Sequence, residues 1–307
     1  MSKKIFLILD SNSILHRAFH ALPKLTTSKG QPVNAVYGFL LVLFKVIKEF
    51  SPDYIFACFD YPAKTFRHQL FKEYKSKRPP TPDDLKNQIP ILKEILQNFN
   101  IPILEKEGFE SDDIIGSIIY QIKEKEKLDN VNFIIVSGDT DILQLIDKDT
   151  KVYLLQKGIK KTLLYDENLF RQKFFNLAPN QLIDFKALVG DSSDNIPGVK
   201  GIGKKTAISL LLNYGNLENL YKKLEEKKLK EKLSLKIREI LIKDKEKAFF
   251  SKELISIKKD IPLAIDNLFL WDYDFNNVVS IFKKYEFNSL ISKIPKRETF
   301  NNNLKLW

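Results

Sequence analysis

The sequence predicts an α/β fold in which a parallel sheet is flanked by helices and followed by a mainly α-helical C-terminal region. Short continuous apolar runs, typical of buried parallel strands, alternate with segments whose apolar residues recur at helical spacing. Several of these strand-like runs are followed by aspartate, and ligand sites of parallel sheets lie beyond the carboxyl ends of the strands. Strand signals stop near residue 165, which separates the two regions.

The individual elements follow from these patterns. Strands are predicted at Lys3–Leu9, Tyr54–Phe59, Ile101–Leu104 and Val131–Val136. Helices are predicted at Asn34–Phe50, around Asp83–Asn98 and from Ser111 onward, with an isoleucine-rich apolar face. Short helices are predicted beyond the sheet at residues 179–189, 204–214, 217–224 and 229–242. We therefore divide the chain into residues 1–165, residues 166–295 and a frayed polar tail, 296–307.

Composition narrows the class of protein. The 307 residues carry a formal net charge of +11, which suits a polyanionic partner. The single cysteine, Cys58, excludes a disulfide framework within the chain. Lys3 and Lys4 precede only five apolar residues, too few for a secretion signal, and no apolar run reaches membrane-spanning length. We expect a cytoplasmic protein with no membrane partner.

Nine acidic residues could converge at the carboxyl edge of the sheet: Asp10, Asp60, Asp139 and Asp141 after strands, Glu110, Asp112 and Asp113 at the start of a predicted helix, and Asp191 and Asp194 before a glycine-rich turn. A turn or helix cap is the alternative for an aspartate that follows a strand, and a favourable contact with the helix dipole is the alternative at residues 110–113. Nine converging carboxylates repel one another and call for divalent cations. Because no thiol or histidine lies at ligand spacing, we predict Mg²⁺, with Mn²⁺ as a substitute, rather than zinc. Two such ions activate water and stabilise the leaving oxygen of a phosphodiester.

A basic segment with interleaved aromatic residues spans residues 64–80. Its rings, including Tyr74, suit stacking on bases, and its cations, including Arg67, Lys75 and Arg78, suit phosphate. The alternative is an amphipathic helix with a solvated basic face. Arginine is informative here because the chain has only six, and Arg17 is another that lies near these motifs. The segment is predicted to contact a nucleic acid.

The stretch from Gly190 to Thr206 combines acids with a glycine- and lysine-rich turn. The turn residues are Gly198, Lys200, Gly201, Gly203, Lys204 and Lys205. Glycines allow backbone N–H groups to approach an anion, and a helix beginning near Lys204 directs its positive end to the same place. A nucleotide-binding P-loop fits less well, because Lys205 separates Lys204 from Thr206. A hairpin between two helices that grips a nucleic-acid backbone fits better, and a turn without a ligand stays open.

Taken together, the motifs resemble the 5′-nuclease (flap endonuclease) superfamily, and most closely the 5′→3′ exonuclease domain of bacterial DNA polymerase I. The resemblance rests on Phe66-Arg-His68, Tyr74–Pro80, Glu110-Ser-Asp-Asp113, Gly138-Asp-Thr-Asp141, Gly190–Gly198 and Gly201-Ile-Gly-Lys204, and runs from residue 5 to about 294. It implies a PIN-like nuclease domain with a helical arch at about 64–98. It also implies a helical C-terminal region whose helix-hairpin-helix element, at about 186–214, binds duplex DNA, usually with K⁺.

The resemblance also implies roles for single residues. Asp10, Asp60, Glu110 and Asp112 would surround one Mg²⁺, and Asp139, Asp141 and Asp191 the second, with Asp113 and Asp194 acting through water or a second shell. Arg67, Lys75 and Arg78 would face the scissile phosphate, and Tyr74 would stack. His16 stands where relatives commonly have an aromatic residue, and Ser11 where the polymerase group usually has glycine. No proofreading or polymerase domain follows, so we expect a free-standing version of the exonuclease domain.

The sequence therefore predicts a monomeric, Mg²⁺-dependent 5′→3′ exonuclease and flap endonuclease that acts on nicked or flapped duplex DNA and on RNA–DNA hybrid primers. It would serve replication and repair beside a separate polymerase. One alternative is a PIN-type ribonuclease, which needs neither the hairpin nor the long second region. The other is a catalytically silent DNA-binding protein, which would be free to lose some of its acids.

Overall fold

The structure, a computed structural model, describes residues 3–124, 130–226, 233–265 and 268–296. A six-stranded sheet lies at its centre in the order β3-β2-β1-β4-β5-β6. The strands are β1 Lys4–Asp10, β2 Tyr54–Cys58, β3 Ile103–Leu104, β4 Val131–Ser137, β5 Thr150–Lys157 and β6 Lys161–Tyr165. The first five are parallel, with Ile8 opposite Phe56 on one side and Ile135 on the other.

The predicted parallel sheet is confirmed, with one addition. Edge strand β6 runs antiparallel to β5, and the two form a hairpin whose turn contains Gly158. Neither strand was predicted individually, because lysine, threonine and glutamine interrupt the apolar run that marks a buried strand.

Helices cover both faces of the sheet. The N-terminal helices are α1 Ser11–Ala21, α2 Asn34–Phe50, α3 Phe66–Leu70, α4 Asp83–Lys86, α5 Gln88–Asn98 and α6 Ser111–Glu124, followed by a 3-10 helix at Asp141–Leu145. The C-terminal helices are α7 Glu167–Lys173, α8 Gln181–Val189, α9 Lys204–Tyr214, α10 Leu217–Glu225, α11 Leu235–Lys243, α12 Lys245–Ile255, α13 Phe275–Lys284 and α14 Asn288–Ile291. None of the helices in the described ranges has the length and apolar character needed to span a bilayer.

Alternation along β1 divides the interior into two cores. Phe6 and Ile8 point to the face covered by α6 and most C-terminal helices, whereas Leu7 and Leu9 point to the face covered by α1, α2 and α5. Side chains that alternate in this way bury both faces of a strand, as a parallel sheet requires. Asp10, at the end of β1, therefore lies at the edge where both layers of helices leave the strands uncovered.

The C-terminal region is helical, as predicted, but its last helices return to the first region. The ring of Phe282 in α13 stacks on Phe44 at 6.1 Å and meets Phe99 edge to face at 5.9 Å. The division at residues 165 and 166 stays a prediction. Residues 297–307 of the predicted tail lie outside the described residues, as do residues 229–232 of one predicted helix.

The predicted helical arch is not a continuous helix in this structure. Helix α3 has five residues, and consecutive turns then lead to Arg78. Lys75 adopts a left-handed backbone conformation with φ of 55°, which interrupts any helix, and Pro79 and Pro80 follow. The turns fold this segment against the acidic edge of the sheet, so its cations are brought to the site described next.

Candidate active site

Five of the nine predicted acids line one cleft at the carboxyl edge of the sheet. The cleft has a volume of about 1000 Å³, and its acids are Asp10, Asp60, Glu110, Asp112 and Asp139. They come from the end of β1, the loop after β2, the start of α6 and the loop after β4. The parallel topology brings these points of the chain to the same edge, as the sequence predicted.

Buried serine hydroxyls hold these acids in place. Ser137 Oγ donates to Asp10 Oδ2 at 2.6 Å and accepts from the Asp139 N–H at 2.9 Å. Ser111 donates from its hydroxyl to Asp10 Oδ1 at 3.2 Å and from its N–H to Asp60 Oδ1 at 2.8 Å. Neither serine was predicted from the sequence. The signal available was their position, directly beside Glu110 and Asp112 in one motif and before Gly138 in the other.

The cleft acids carry more negative charge than their neighbours compensate. Burial raises the pKa of Asp10 to about 7, assisted by the charges of Asp60 and Asp139 and opposed by the Ser137 hydrogen bond. Burial, with the charges of Asp10 and Asp139, also raises the pKa of Asp112 well above its usual value. Burial alone would raise the pKa of Glu110, but the charges of Lys75 and Arg67 outweigh it and lower that pKa.

This donor set fits hard divalent cations. Buried carboxylates that protonate because they repel one another gain most from a bound cation. Among the described residues, no three His, Cys, Asp or Glu side chains are arranged in this conformation so that they could hold a metal ion together. The five acids instead line an open cleft whose shared negative charge is available to an ion.

Asp141 and Asp191 do not line the cleft, and a lysine bridges them. Lys186 of α8 donates to Asp141 and, at 2.6 Å, to Asp191 Oδ2. Lys186 and the Ser193 hydrogen bonds outweigh burial and lower the pKa of Asp191 to about 2. Burial and the charge of Asp139 raise the pKa of Asp141 to about 6, although Lys186 opposes them. The sequence analysis missed Lys186, whose spacing of five residues from Asp191 was the only signal.

Asp194 connects the 190–198 loop to the basic segment and does not line the cleft. It accepts from Arg78 Nη2 and, at 3.2 Å, from the Tyr74 hydroxyl, which also donates to Glu110 at 3.1 Å. Tyr74 is only 3% exposed. In this conformation its ring lies in the core and its hydroxyl connects two acids, and the stacking of Tyr74 on a base stays a prediction.

Two further predicted site residues, Arg67 and Asp113, lie in the interior. Both side chains are buried, at 3% and 0% exposure, and they form an ion pair with N–O distances of 2.6 and 2.8 Å. Arg67 also donates to two backbone carbonyls, those of Leu254 and Ser256. Neither side chain is among the residues that line the cleft, and their predicted roles at a phosphate and near an ion stay predictions.

Lys75 and Arg78 do line the cleft, as predicted for residues that face a phosphate. Lys75 Nζ lies 2.8 Å from Glu110 Oε1 and 4.0 Å from Asp194 Oδ2. Burial tends to lower the pKa of Lys75, but the charges of Glu110 and Asp194 raise it overall. Both cations therefore stay charged at the border between the acids and the open cleft.

The opposite wall of the cleft is also basic. Arg17 lines it, donating to the Gly138 carbonyl at 2.7 Å and the Gln156 carbonyl at 3.0 Å, so it fastens the Asp139 loop to β5. His16 lines it too, and burial and the charge of His20 lower its pKa. Lys157 and Lys160, in the β5–β6 hairpin, complete this wall. The sequence analysis missed these two lysines, which stand on either side of Gly158.

The glycine- and lysine-rich turn is a hairpin between α8 and α9. Val199 and Ile202 are buried beneath it, and the predicted contact residues Lys200, Gly201, Gly203, Lys204 and Lys205 are exposed. Gly201 has a φ of 97°, which favours glycine, and Gly203 begins α9 without a side-chain cap. The exposed N–H groups of an eleven-residue helix thus stand beside two lysines, an arrangement suited to an anion.

Gly198 lies where two stretches of backbone approach closely. A Cβ built on it would lie 2.3 Å from the Gly190 nitrogen and 2.4 Å from the Val189 carbonyl carbon. The two glycines therefore allow the base of the acidic loop to close, where backbones pass in direct contact. Gly198 thus has a packing role in the loop, and its contact with phosphate stays a prediction.

Comparisons with known proteins agree with this arrangement. Two family models match the chain: "5'-3' exonuclease, N-terminal resolvase-like domain" over residues 5–175, and "5'-3' exonuclease, C-terminal SAM fold" over residues 177–274. DNA polymerase I of Caldicellulosiruptor bescii is 43% identical over 295 residues, which make up 95% of this chain and 33% of that protein. The 5′-3′ exonuclease of Aquifex aeolicus is 37% identical over 295 residues, covering 95% of this chain and 96% of that protein.

The fold is shared with a solved nuclease. The crystal structure of the bacteriophage T5 D15 flap endonuclease in complex with DNA and metal ions matches with a TM-score of 0.64 at 20% identity. The match covers 92% of this chain and all of that one. Among the sequence relatives, by contrast, the chain spans only about a third of the length of the Caldicellulosiruptor bescii DNA polymerase I.

Proposed function

The chain belongs to the 5′-3′ exonuclease family, and we propose from this that it is a divalent-metal-dependent 5′→3′ exonuclease and 5′-flap endonuclease. The observation that carries the proposal is the cleft itself. Five acids from four separate points of the chain meet there, and the cations Lys75 and Arg78 border them. Hydrolysis of a phosphodiester needs both carboxylates that bind metal ions and cationic side chains that bind the phosphate.

Two divalent ions fit the acids. The first ion would be held by Asp10, Asp60, Glu110 and Asp112. The second would be held by Asp139, Asp141 and Asp191 after the side chain of Lys186 has moved away from them. Mg²⁺ is the ion expected in the cell, with Mn²⁺ as a substitute, because all of these donors are oxygen atoms. When bound, the ions supply Lewis-acid charge that stabilises an in-line displacement at phosphorus.

The chain's own residues would position the substrate. Lys75 and Arg78 line the cleft and carry the charge that a scissile phosphate requires. These two cations now pair with Glu110 and Asp194. When the phosphate binds to them instead, an ion would bind Glu110 and neighbouring donors would bind Asp194. Lys157, Lys160 and Arg17 on the opposite wall would contact the strand on the other side of the cleft.

The α8–α9 hairpin would bind the duplex beside the cleft. Its exposed lysines and the free N–H groups of α9 suit two successive phosphates of one strand. A K⁺ ion at this hairpin is part of the proposal, because family resemblance implies one. The T5 structure with this fold holds DNA and metal ions, which supports DNA as the ligand here.

We place this activity in the removal of 5′ flaps and RNA primers during replication and repair. The substrates are nicked or flapped DNA duplexes and RNA–DNA hybrid ends, and the chain acts as a monomer in the cytoplasm beside a separate polymerase. The Aquifex aeolicus 5′-3′ exonuclease matches this chain over 96% of its own length, which supports a 5′-3′ exonuclease activity for the matched residues.

A cleavage assay tests the proposal. The protein is incubated with a 5′-labelled flap duplex and Mg²⁺, with EDTA, and as the Asp139→Ala variant. We expect cleavage near the flap junction that EDTA abolishes and the variant loses by at least about a hundredfold. Two further measurements distinguish the alternatives: cleavage of single-stranded RNA, and binding of duplex DNA. Cleavage of RNA only indicates a ribonuclease, and tight binding without cleavage in any metal indicates a silent binding protein.

A further inference from the structure

The ion pair of Arg67 and Asp113 uses every hydrogen-bonding position of the carboxylate. Asp113 Oδ2 accepts from Arg67 Nη1 at 2.6 Å and from the Glu110 N–H at 3.1 Å. Oδ1 accepts from Arg67 Nη2 at 2.8 Å and from the Lys258 N–H at 2.9 Å. A carboxylate has about four lone-pair positions. Asp113 therefore has none left for a metal ion while this arrangement holds.

The nitrogen atoms of Arg67 are also all engaged in hydrogen bonds. Its Nε donates to the Leu254 carbonyl at 2.8 Å, and its Nη2 donates to the Ser256 carbonyl at 3.0 Å. Its Nη1 also faces Glu110 Oε2 at 3.5 Å. Burial tends to lower the pKa of Arg67, but the hydrogen bonds and charge of Asp113 raise it well above its usual value. The guanidinium is thus permanently charged and held in one orientation.

The pair joins three parts of the chain that are far apart in sequence. Arg67 belongs to α3 at the base of the basic segment, and Asp113 lies in the first turn of α6. The carbonyls and the Lys258 N–H belong to the end of α12 and the chain beyond it. The residue held directly by the pair is Glu110, a cleft acid, and Asp112 lies next to Asp113 in the chain.

We propose that Arg67 and Asp113 are positioning residues, which fix the Glu110–Asp112 turn against the C-terminal helical region so that two acids keep their place in the cleft. The inference rests on the proposed function for its catalytic consequence. A salt bridge of this kind contributes little to net stability compared with an apolar pair, so a positioning role accounts better for its burial. Asp113, predicted from the sequence to act near a metal ion, acts on this proposal through Glu110 instead.

The test uses Arg67→Lys, Asp113→Asn and the double variant, with Phe282→Leu as a control for stability. Phe282 is fully buried in α13 on the opposite face of the sheet. Assays are run at temperatures equally far below each variant's Tm. We expect each single substitution to lower kcat on a flap substrate by about 10- to 100-fold and to raise the half-saturating Mg²⁺ concentration. Duplex affinity without cleavage, measured in Ca²⁺, should change less than about twofold.

Because both residues act through one contact, the double variant should lose no more than the worse single variant. The proposal would be overturned if the loss of kcat in the double variant equals the product of the two single losses and only Asp113→Asn changes the Mg²⁺ requirement. Asp113 would then be identified as a metal ligand. A loss of kcat no larger than that of the Phe282→Leu control would also overturn the proposal, because the pair would then only stabilise the fold.

Hydrogen exchange of the wild-type protein provides a test that needs neither activity nor a variant. The amides of Glu110 and Lys258 both donate to Asp113, so they should become exposed in one opening event, with protection factors within about threefold of each other. A Glu110 amide that exchanges a hundredfold faster than that of Lys258 contradicts the proposal. If the wild type fails to cleave flap DNA while these amides exchange together, the proposed function is wrong and the positioning role stands.

Discussion

Lys186 Nζ donates a 2.6 Å hydrogen bond to Asp191 Oδ2, so a cation of the chain itself occupies the space between two proposed metal ligands. The same ammonium group donates to Asp141. A divalent ion bound by Asp141 and Asp191 has to displace this lysine, because two cations cannot share the same oxygens without strong repulsion. Lys186 therefore offsets part of the negative charge of Asp141 and Asp191 in this conformation.

The Lys186→Met variant tests this competition. Without ions, two carboxylates would lie close together without a counter-charge, so we expect a loss of about 1–3 kcal/mol in the free energy of unfolding. Saturating Mg²⁺ should raise the Tm of the variant more than that of the wild type, since no lysine competes. Calorimetry with and without Mg²⁺ measures both effects.

Lys252→Met is the matched control, because Lys252 also bridges two acids, Asp184 and Glu218, neither of which is a proposed metal ligand. Its Tm should fall while its response to Mg²⁺ stays that of the wild type. An equal Mg²⁺ response in all three proteins would show that Lys186 does not compete with an ion.

The raised pKa of Asp10 predicts how the ion-free protein responds to pH. Its pKa of about 7 in the folded protein exceeds the usual aspartate value, so the folded state binds more protons between these values than the unfolded state does. Stability of the ion-free protein should therefore fall as pH rises from 6 to 8. The lowered pKa values of His16 and His68 act in the opposite direction, mainly below pH 6.5.

Chemical denaturation at several pH values, in EDTA and in Mg²⁺, measures this dependence. Mg²⁺ should flatten it, because bound cations remove the advantage of protonation, and Asp10→Asn should flatten it without ions. Ion-free stability that rises with pH across this window would contradict the raised pKa of the cleft acids.

The hairpin lysines are predicted to contribute to duplex affinity. Lys204→Ala with Lys205→Ala should weaken binding and reduce the slope of log affinity against log salt by up to about 2, since each lost phosphate contact releases one fewer counterion. Fluorescence anisotropy across a salt series measures both quantities. Lys48→Ala with Lys283→Ala removes the same charge from exposed positions on α2 and α13, on the other face, and should leave the slope unchanged. If the two double variants behave alike, net charge rather than the hairpin accounts for binding.

The glycines of the hairpin region should differ in their tolerance of alanine. Gly198→Ala places a Cβ 2.3 Å from the Gly190 nitrogen, so the acidic loop has to open, and we expect at least about 2 kcal/mol of destabilisation. Gly203→Ala meets nothing within 4 Å and should cost less than about 1 kcal/mol. Urea denaturation compares them, and similar losses at both positions would argue against the close backbone approach.

Much of the fold could be predicted because it depends on local patterns. Helix α2 occupies Asn34–Phe50, the predicted bounds, since its apolar spacing and the following Ser51-Pro52 are both local signals. The convergence of Asp10, Asp60 and Asp139 followed from strand ends alone. Parallel strands bring such residues together whatever the rest of the chain does.

The pairings inside the site could not be predicted, because they depend on contacts between distant segments. Periodicity does not reveal that Arg67 meets Asp113, 46 positions away, or that Tyr74 is directed inward to Asp194. Composition favoured exposed roles for both residues, since arginine and tyrosine are common at nucleic-acid surfaces. Burial reversed that expectation, as each found charged or carbonyl partners in the interior.

Anomalous diffraction from crystals soaked in Mn²⁺ tests the central claim most directly. We predict one peak among the carboxylates of Asp10, Asp60, Glu110 and Asp112, and a second beside Asp139, with the side chain of Lys186 moved away from Asp191. Crystals that diffract well and show no anomalous peak in the cleft at millimolar Mn²⁺ would contradict the account.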